Sequence, residues 1–127
     1  MYVSFNNNPR GNYYAGDCVI RAISAVTGES WENVYTALCA EGFHLGDWGN
    51  ANGVWDWYLR ENGYKRYICP NDCPSCYTLA DFANDHSTGK YIIGTGSHAV
   101  AVIDGDWWDA WDSCNVTPIY YYTKEGE

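Results

Sequence analysis

The sequence predicts an α+β domain in which N-terminal helices pack on a C-terminal, mostly antiparallel sheet. Up to Gly63, apolar residues recur at helical spacing in three segments. From Lys90 onward, short runs of β-branched and aromatic residues are broken by Gly, Asp, Asn and Pro. The 127 residues fit one domain, 1–127, large enough to bury a core without staples.

Residues 1–16 carry Asn, Gly, Pro and Tyr in no period and read as an arm. Asp17 is placed to N-cap a helix of about ten residues ending at Gly28, with Val19, Ile20, Ala22, Ile23 and Val26 at helical spacing. Ser30 caps a second helix, SWENVYTALCAEG, with Trp31, Val34, Tyr35 and Leu38 on one side and Gly42 as its stop. A Gly-, Asn- and Trp-rich loop (43–53) leads to a third, VWDWYLRENG, closed by Gly63. A short strand, KRYIC, the turn PNDCPSC and a short helix, LADFANDH, capped by Thr78, follow. YIIGTG, HAVAVI, DWWDAW and PIYYYT then read as strands, and Asp104-Gly105 signals a two-residue type I′ hairpin.

The formal charge is −9, from 7 basic and 16 acidic residues. Such a field repels phosphate backbones and anionic bilayers, so neither nucleic acid nor membrane is an expected partner. No apolar run is long enough to span a bilayer, and the opening MYVSFNNNPRG lacks the charged and apolar regions of a secretory signal. A cytoplasmic chain is expected, with its six cysteines as thiols. CPNDCPSC sets Cys69, Cys73 and Cys76 at C-x3-C-x2-C spacing. Three readings stay open there: Zn²⁺ with Cys39, Cys114 or His86 as fourth ligand, a Cys73–Cys76 pair, or separate thiols. No other cofactor is indicated.

The chemistry centres on GDCVIRA. Cys18 falls in the first turn of the first helix, where the backbone dipole and unpaired N–H groups favour the thiolate; a small buried side chain is the alternative. A base is needed to activate it, and His98 opens the apolar strand SHAVAVI, where it can point into a cleft. His44 and His86, in a loop and at a helix end, suit that task less well.

A third group must orient the imidazole. If Asp104-Gly105 is the whole turn, Ile103 faces Asp106 and Asp109 lies diagonally across from His98 on the same face. If Asp106 joins the turn, the register slips by one and Asp112 takes that place. The Asp-Gly preference favours Asp109. Under that register Trp107 and Trp111 share the face of His98 and can shield it from water. Asn12, six residues before Cys18, is a candidate second donor to an oxyanion, or an ordinary turn residue.

GDCVIRAISAVTG, SHAVAVIDG and DAWDS together resemble the papain-like cysteine peptidase superfamily, most closely small bacterial and phage-encoded members. Papain-type enzymes carry a glutamine at the position matched by Asn12. The resemblance implies a papain-like fold and a cysteine hydrolase that cleaves a peptide, isopeptide or related amide bond in a peptide or protein substrate. Its triad would be Cys18, His98 and Asp109, with Asn12 as oxyanion donor. The same residues would serve a thiol-dependent acyltransferase, and the same fold would serve a non-catalytic binding module with an aromatic groove.

Overall fold

A computed structural model describes residues 1–12, 15–69 and 77–124. Among them the order is β1 (Tyr2–Ser4), α1 (Cys18–Thr27), α2 (Trp31–Leu45), α3 (Asn52–Glu61), β2 (Tyr64–Ile68), α4 (Leu79–Asp85), β3 (Lys90–Gly94), β4 (Ala99–Ile103), β5 (Asp106–Asp109) and β6 (Tyr120–Lys124). The strands form one mixed sheet in the order β1-β5-β4-β3-β6-β2, parallel only between β1 and β5. The fold is α+β, and no helix among the described residues is long and apolar enough to cross a membrane.

Strand alternation divides the core in two. Ile92, Ala99, Ala101, Tyr120 and Tyr122 face α1, α2 and α3, while Ile93, Val100 and Val102 face Leu79, Phe82 and Ala83 of α4. α1 is buried on most of its surface because it lies between α2 and the sheet; Ile23 and Val26 are almost wholly inaccessible. Each such aliphatic side chain contributes about 1.5–3 kcal/mol through burial. That anchoring fixes the N-terminal end of α1 against β4.

Two expectations change. β1 is a strand and not part of an arm: it pairs with Trp107–Asp109, and Phe5 N–H donates to the Asp109 carbonyl at 2.8 Å. Three residues are too few for a period to show. Gly42 does not end α2, which runs on to Leu45 and closes at Gly46 (φ 74°). Gly42 instead serves close approach, because a Cβ there would lie 2.6 Å from the Asp47 carbonyl oxygen. Alanine is the better helix former by about 1 kcal/mol, but a clash with backbone costs more; Gly42→Ala should lower stability by about 1–2 kcal/mol. A urea midpoint that rises in this variant would refute the close-packing account.

Candidate active site

The hairpin register sets the site. Asp104 (φ 50°) and Gly105 (φ 83°) form the whole two-residue turn, and Ile103 pairs with Asp106. Asp109, the last residue of β5, consequently reaches His98, whose Nε2 lies 2.6 Å from Asp109 Oδ2. Asp112 is elsewhere: it accepts from Trp107 Nε1 (2.9 Å) and the Cys114 N–H (3.2 Å). Trp107 packs on the α4 face of the sheet, so of the two expected shields only Trp111 meets the imidazole, at 4.9 Å between ring centroids.

His98 is held at the β3–β4 turn. Its N–H donates to Thr95 Oγ1 (3.1 Å) and its carbonyl accepts from the Thr95 N–H (2.9 Å). With Nε2 directed at Asp109, Nδ1 is the nitrogen left for the thiol. Cys18, the first residue of α1, lines the same cleft as His98, and its thiol lies within electrostatic reach of the His98 ring and of the Ala99 N–H. Burial opposes the thiolate, but the His98 hydrogen bond, the Ala99 N–H and the charges of His98 and Arg21 together hold the Cys18 thiol below its ordinary range. Burial likewise disfavours a charged His98, yet its bonds to Asp109 and Cys18 raise it to about 9. Asp109 also resists burial: His98, Ser113 and the Ala110 N–H keep its carboxyl below the usual range. All three shifts favour the charged forms: the thiolate, the imidazolium and the carboxylate.

Asp109 is saturated with donors. Oδ2 accepts from His98 and from Ser113 Oγ (2.8 Å), and Oδ1 accepts from the Ala110 N–H (2.8 Å) and Arg21 Nη2 (3.4 Å). Arg21 was not evident as a site residue. One turn along α1 from Cys18, it is buried and bridges Asp109 to Asp17. The sequence does hold a signal: an arginine among Val, Ile and Ala on an apolar helix needs buried carboxylates to face it.

Asp17 occupies the N-cap position without capping by its side chain. Its carboxylate turns inward to Arg21, Trp31 Nε1 (2.9 Å) and Asn8 Nδ2 (3.3 Å). A buried guanidinium competes better for the carboxylate than the amides of a helix end that faces a cleft. The Asp17 side chain therefore leaves the first-turn N–H groups of α1 uncapped beside Cys18.

Cys18 and His98 line a cleft of about 430 Å³ with Gly16, Asn50, Asn52 and Trp55. Asn12 does not line it. The arm folds back through the contacts of Asn8 with Arg10 and Gly11, and Asn12 borders a neighbouring hollow of about 410 Å³ walled by Asp17, Trp31, Tyr35 and Trp48. The tryptophans thus divide: Trp55 is core, whereas Trp48 is 82% exposed at that hollow.

Cys73 and Cys76 lie outside the described residues, and with them most of the C-x3-C-x2-C turn. Cys69 is a free, buried thiol pushed up to about 11 by burial, which disfavours the thiolate that a metal needs. Among the described residues no group of three His, Cys, Asp or Glu side chains could hold a metal ion. His86 stacks on Phe82 at 3.9 Å, and His44 lies in the last turn of α2 and not in a loop.

Comparison with protein-family models, curated proteins and solved structures finds no match to this chain.

Proposed function

We propose that the protein is a small papain-like cysteine hydrolase that cleaves a peptide, isopeptide or related amide bond by acyl transfer through Cys18, His98 and Asp109. One observation carries this reading: Cys18 and His98 face one cleft at the amino end of a buried helix, and the His98 ring is bonded to the buried Asp109 carboxylate. The Cys18 thiolate attacks the amide carbonyl, and the oxyanion is met by the Cys18 N–H, which helix geometry leaves unpaired. Asn50 lines the same cleft and can join this amide, whereas Asn52 Nδ2 already donates to the Gly96 carbonyl at 3.1 Å. The His98 imidazolium gives its proton to the leaving nitrogen as the C–N bond breaks and a thioester forms. His98 then takes a proton from water, the hydroxide adds to the thioester, and the acid departs with regeneration of the thiolate.

The test is alkylation by iodoacetamide near pH 6, followed at each cysteine by mass spectrometry. An ordinary thiol is almost wholly protonated there, so Cys18 should react at least about ten-fold faster than exposed Cys39. Equal rates would remove the basis for a nucleophile. Turnover should fall on the alkaline side as His98 loses its proton at about 9, because the leaving nitrogen then has no acid.

A further inference from the structure

Beyond the thiol cleft, and sharing Asn52 with it, lies a polar hollow of about 350 Å³ that is bordered by Asp56, Arg60, Arg66, Tyr120 and Tyr122. Its charges are arranged unequally. Asp56 is engaged twice, by Arg60 Nε at 3.0 and 3.1 Å and by the Tyr122 hydroxyl. Arg66 has no ion-pair partner among the described residues; its guanidinium lies 4.4 Å over the ring of Tyr120. An unpaired, ring-mounted arginine is conspicuous in a chain with 7 basic residues against 16 acidic ones. Among the described residues the hollow keeps one positive charge without an ion-pair partner.

Tyr120 is placed by Gly94. β3 runs between β4 and β6, pairing Gly94 with Ala99 on one side and Tyr120 on the other. A Cβ at position 94 would overlap the Tyr120 ring, so the phenol lies across the bare backbone of Gly94. The Tyr120 ring lies 6.0 Å, centroid to centroid, from Trp55, which lines the thiol cleft. Among the described residues the Tyr120 hydroxyl makes no hydrogen bond to protein. A cation and a hydroxyl donor thus converge beside the cleft with nothing to hold.

We propose that Arg66 and Tyr120 bind a substrate carboxylate carried immediately beside the amide that Cys18 attacks. The inference rests on the acyl-transfer reading for the meaning of that amide. The substrate class is a peptide with a carboxylate next to the scissile amide, either at a chain end or in a side chain.

Binding can be read without turnover, on Cys18→Ala protein labelled with ¹⁵N. The probes are three equimolar N-acetyl-tripeptide pools: one with free carboxylates, one amidated, and one ending in aspartate amide. The free-acid pool should shift the Arg66 Nε–H and Gly94 N–H signals at concentrations at least about ten-fold below those the plain amide pool needs, since a charge-assisted contact is at stake. Arg66→Gln in the same background should erase that preference, and Tyr120→Phe should reduce it. An aspartate-amide pool that behaves like the free acid assigns the carboxylate to a side chain; one that behaves like the plain amide assigns it to the chain end. Equal binding of acid and amide pools, or a preference that survives Arg66→Gln, overturns the proposal. Failure of the hydrolase reading would appear separately, as sluggish Cys18 alkylation in the unmodified protein.

Discussion

On the proposed hydrolase mechanism, replacing Asp109 by Asn should cut turnover by about 10³- to 10⁴-fold, the scale expected when the histidine of such a site is held in the wrong tautomer. The carboxylate now receives four donors: His98 and Ser113 on one oxygen, Ala110 N–H and Arg21 on the other. An amide offers one oxygen and one NH₂, so whichever way it turns, two donors face a donor. If the NH₂ faces His98, Nε2 must become the acceptor and the proton moves to Nδ1, on the side of the thiol. The base is then lost. His98 should titrate well below its present value of about 9, followed by NMR, and Cys18 alkylation near pH 6 should slow by about ten-fold or more. An unchanged His98 titration would mean that Asp109 does not support the imidazolium.

The same pair links stability to pH. The His98 value is raised from 6.5 to about 9 on folding, so its stabilising contribution is complete below 6.5 and is lost as the pH rises through 9. Asp109→Asn should flatten that alkaline decline.

Arg21→Met should be the most destabilising single change at the site, by about 3–5 kcal/mol, because it leaves the buried Asp17 and Asp109 without their shared cation. A domain of this size is expected to have about 5–15 kcal/mol in total, so the variant should melt close to working temperature. The guanidinium meets the two carboxylates with separate nitrogens, Nη1 on Asp17 and Nη2 on Asp109. Lysine keeps the charge but not the fork, and Arg21→Lys should fall between the two. Loss of less than about 1 kcal/mol in Arg21→Met, from urea unfolding, would show that the network is solvated and not a buried bridge. Arg21 also favours the thiolate, so any folded Arg21→Met protein should alkylate at Cys18 more slowly.

Much of the site was legible because its parts obey local rules. Asp104-Gly105 imposes a two-residue turn, the turn imposes the register, and the register places Asp109 and not Asp112 on His98. Cys18 at the head of α1 follows from helical periodicity alone. What could not be read depends on contacts between distant segments. Asn12 matches a family position by spacing, but the fold of the arm around Asn8 carries it into the next hollow. The Asp17 side chain has the chemistry of a cap and is drawn inward by Arg21.

By itself the sequence determined the α+β order, the helices and strands of the main body, and the hairpin that carries the imidazole and its carboxylate. Periodicity and turn chemistry are properties of neighbouring residues, and no distant partner can change them much. Only the tertiary structure decided that β1 backs Asp109, that α2 passes through Gly42, and that Arg21 ties two carboxylates under the thiol. These are contacts across the fold, where burial sets the cost of an unpaired charge or a misplaced methyl group, and that cost exists only once the chain has closed around them.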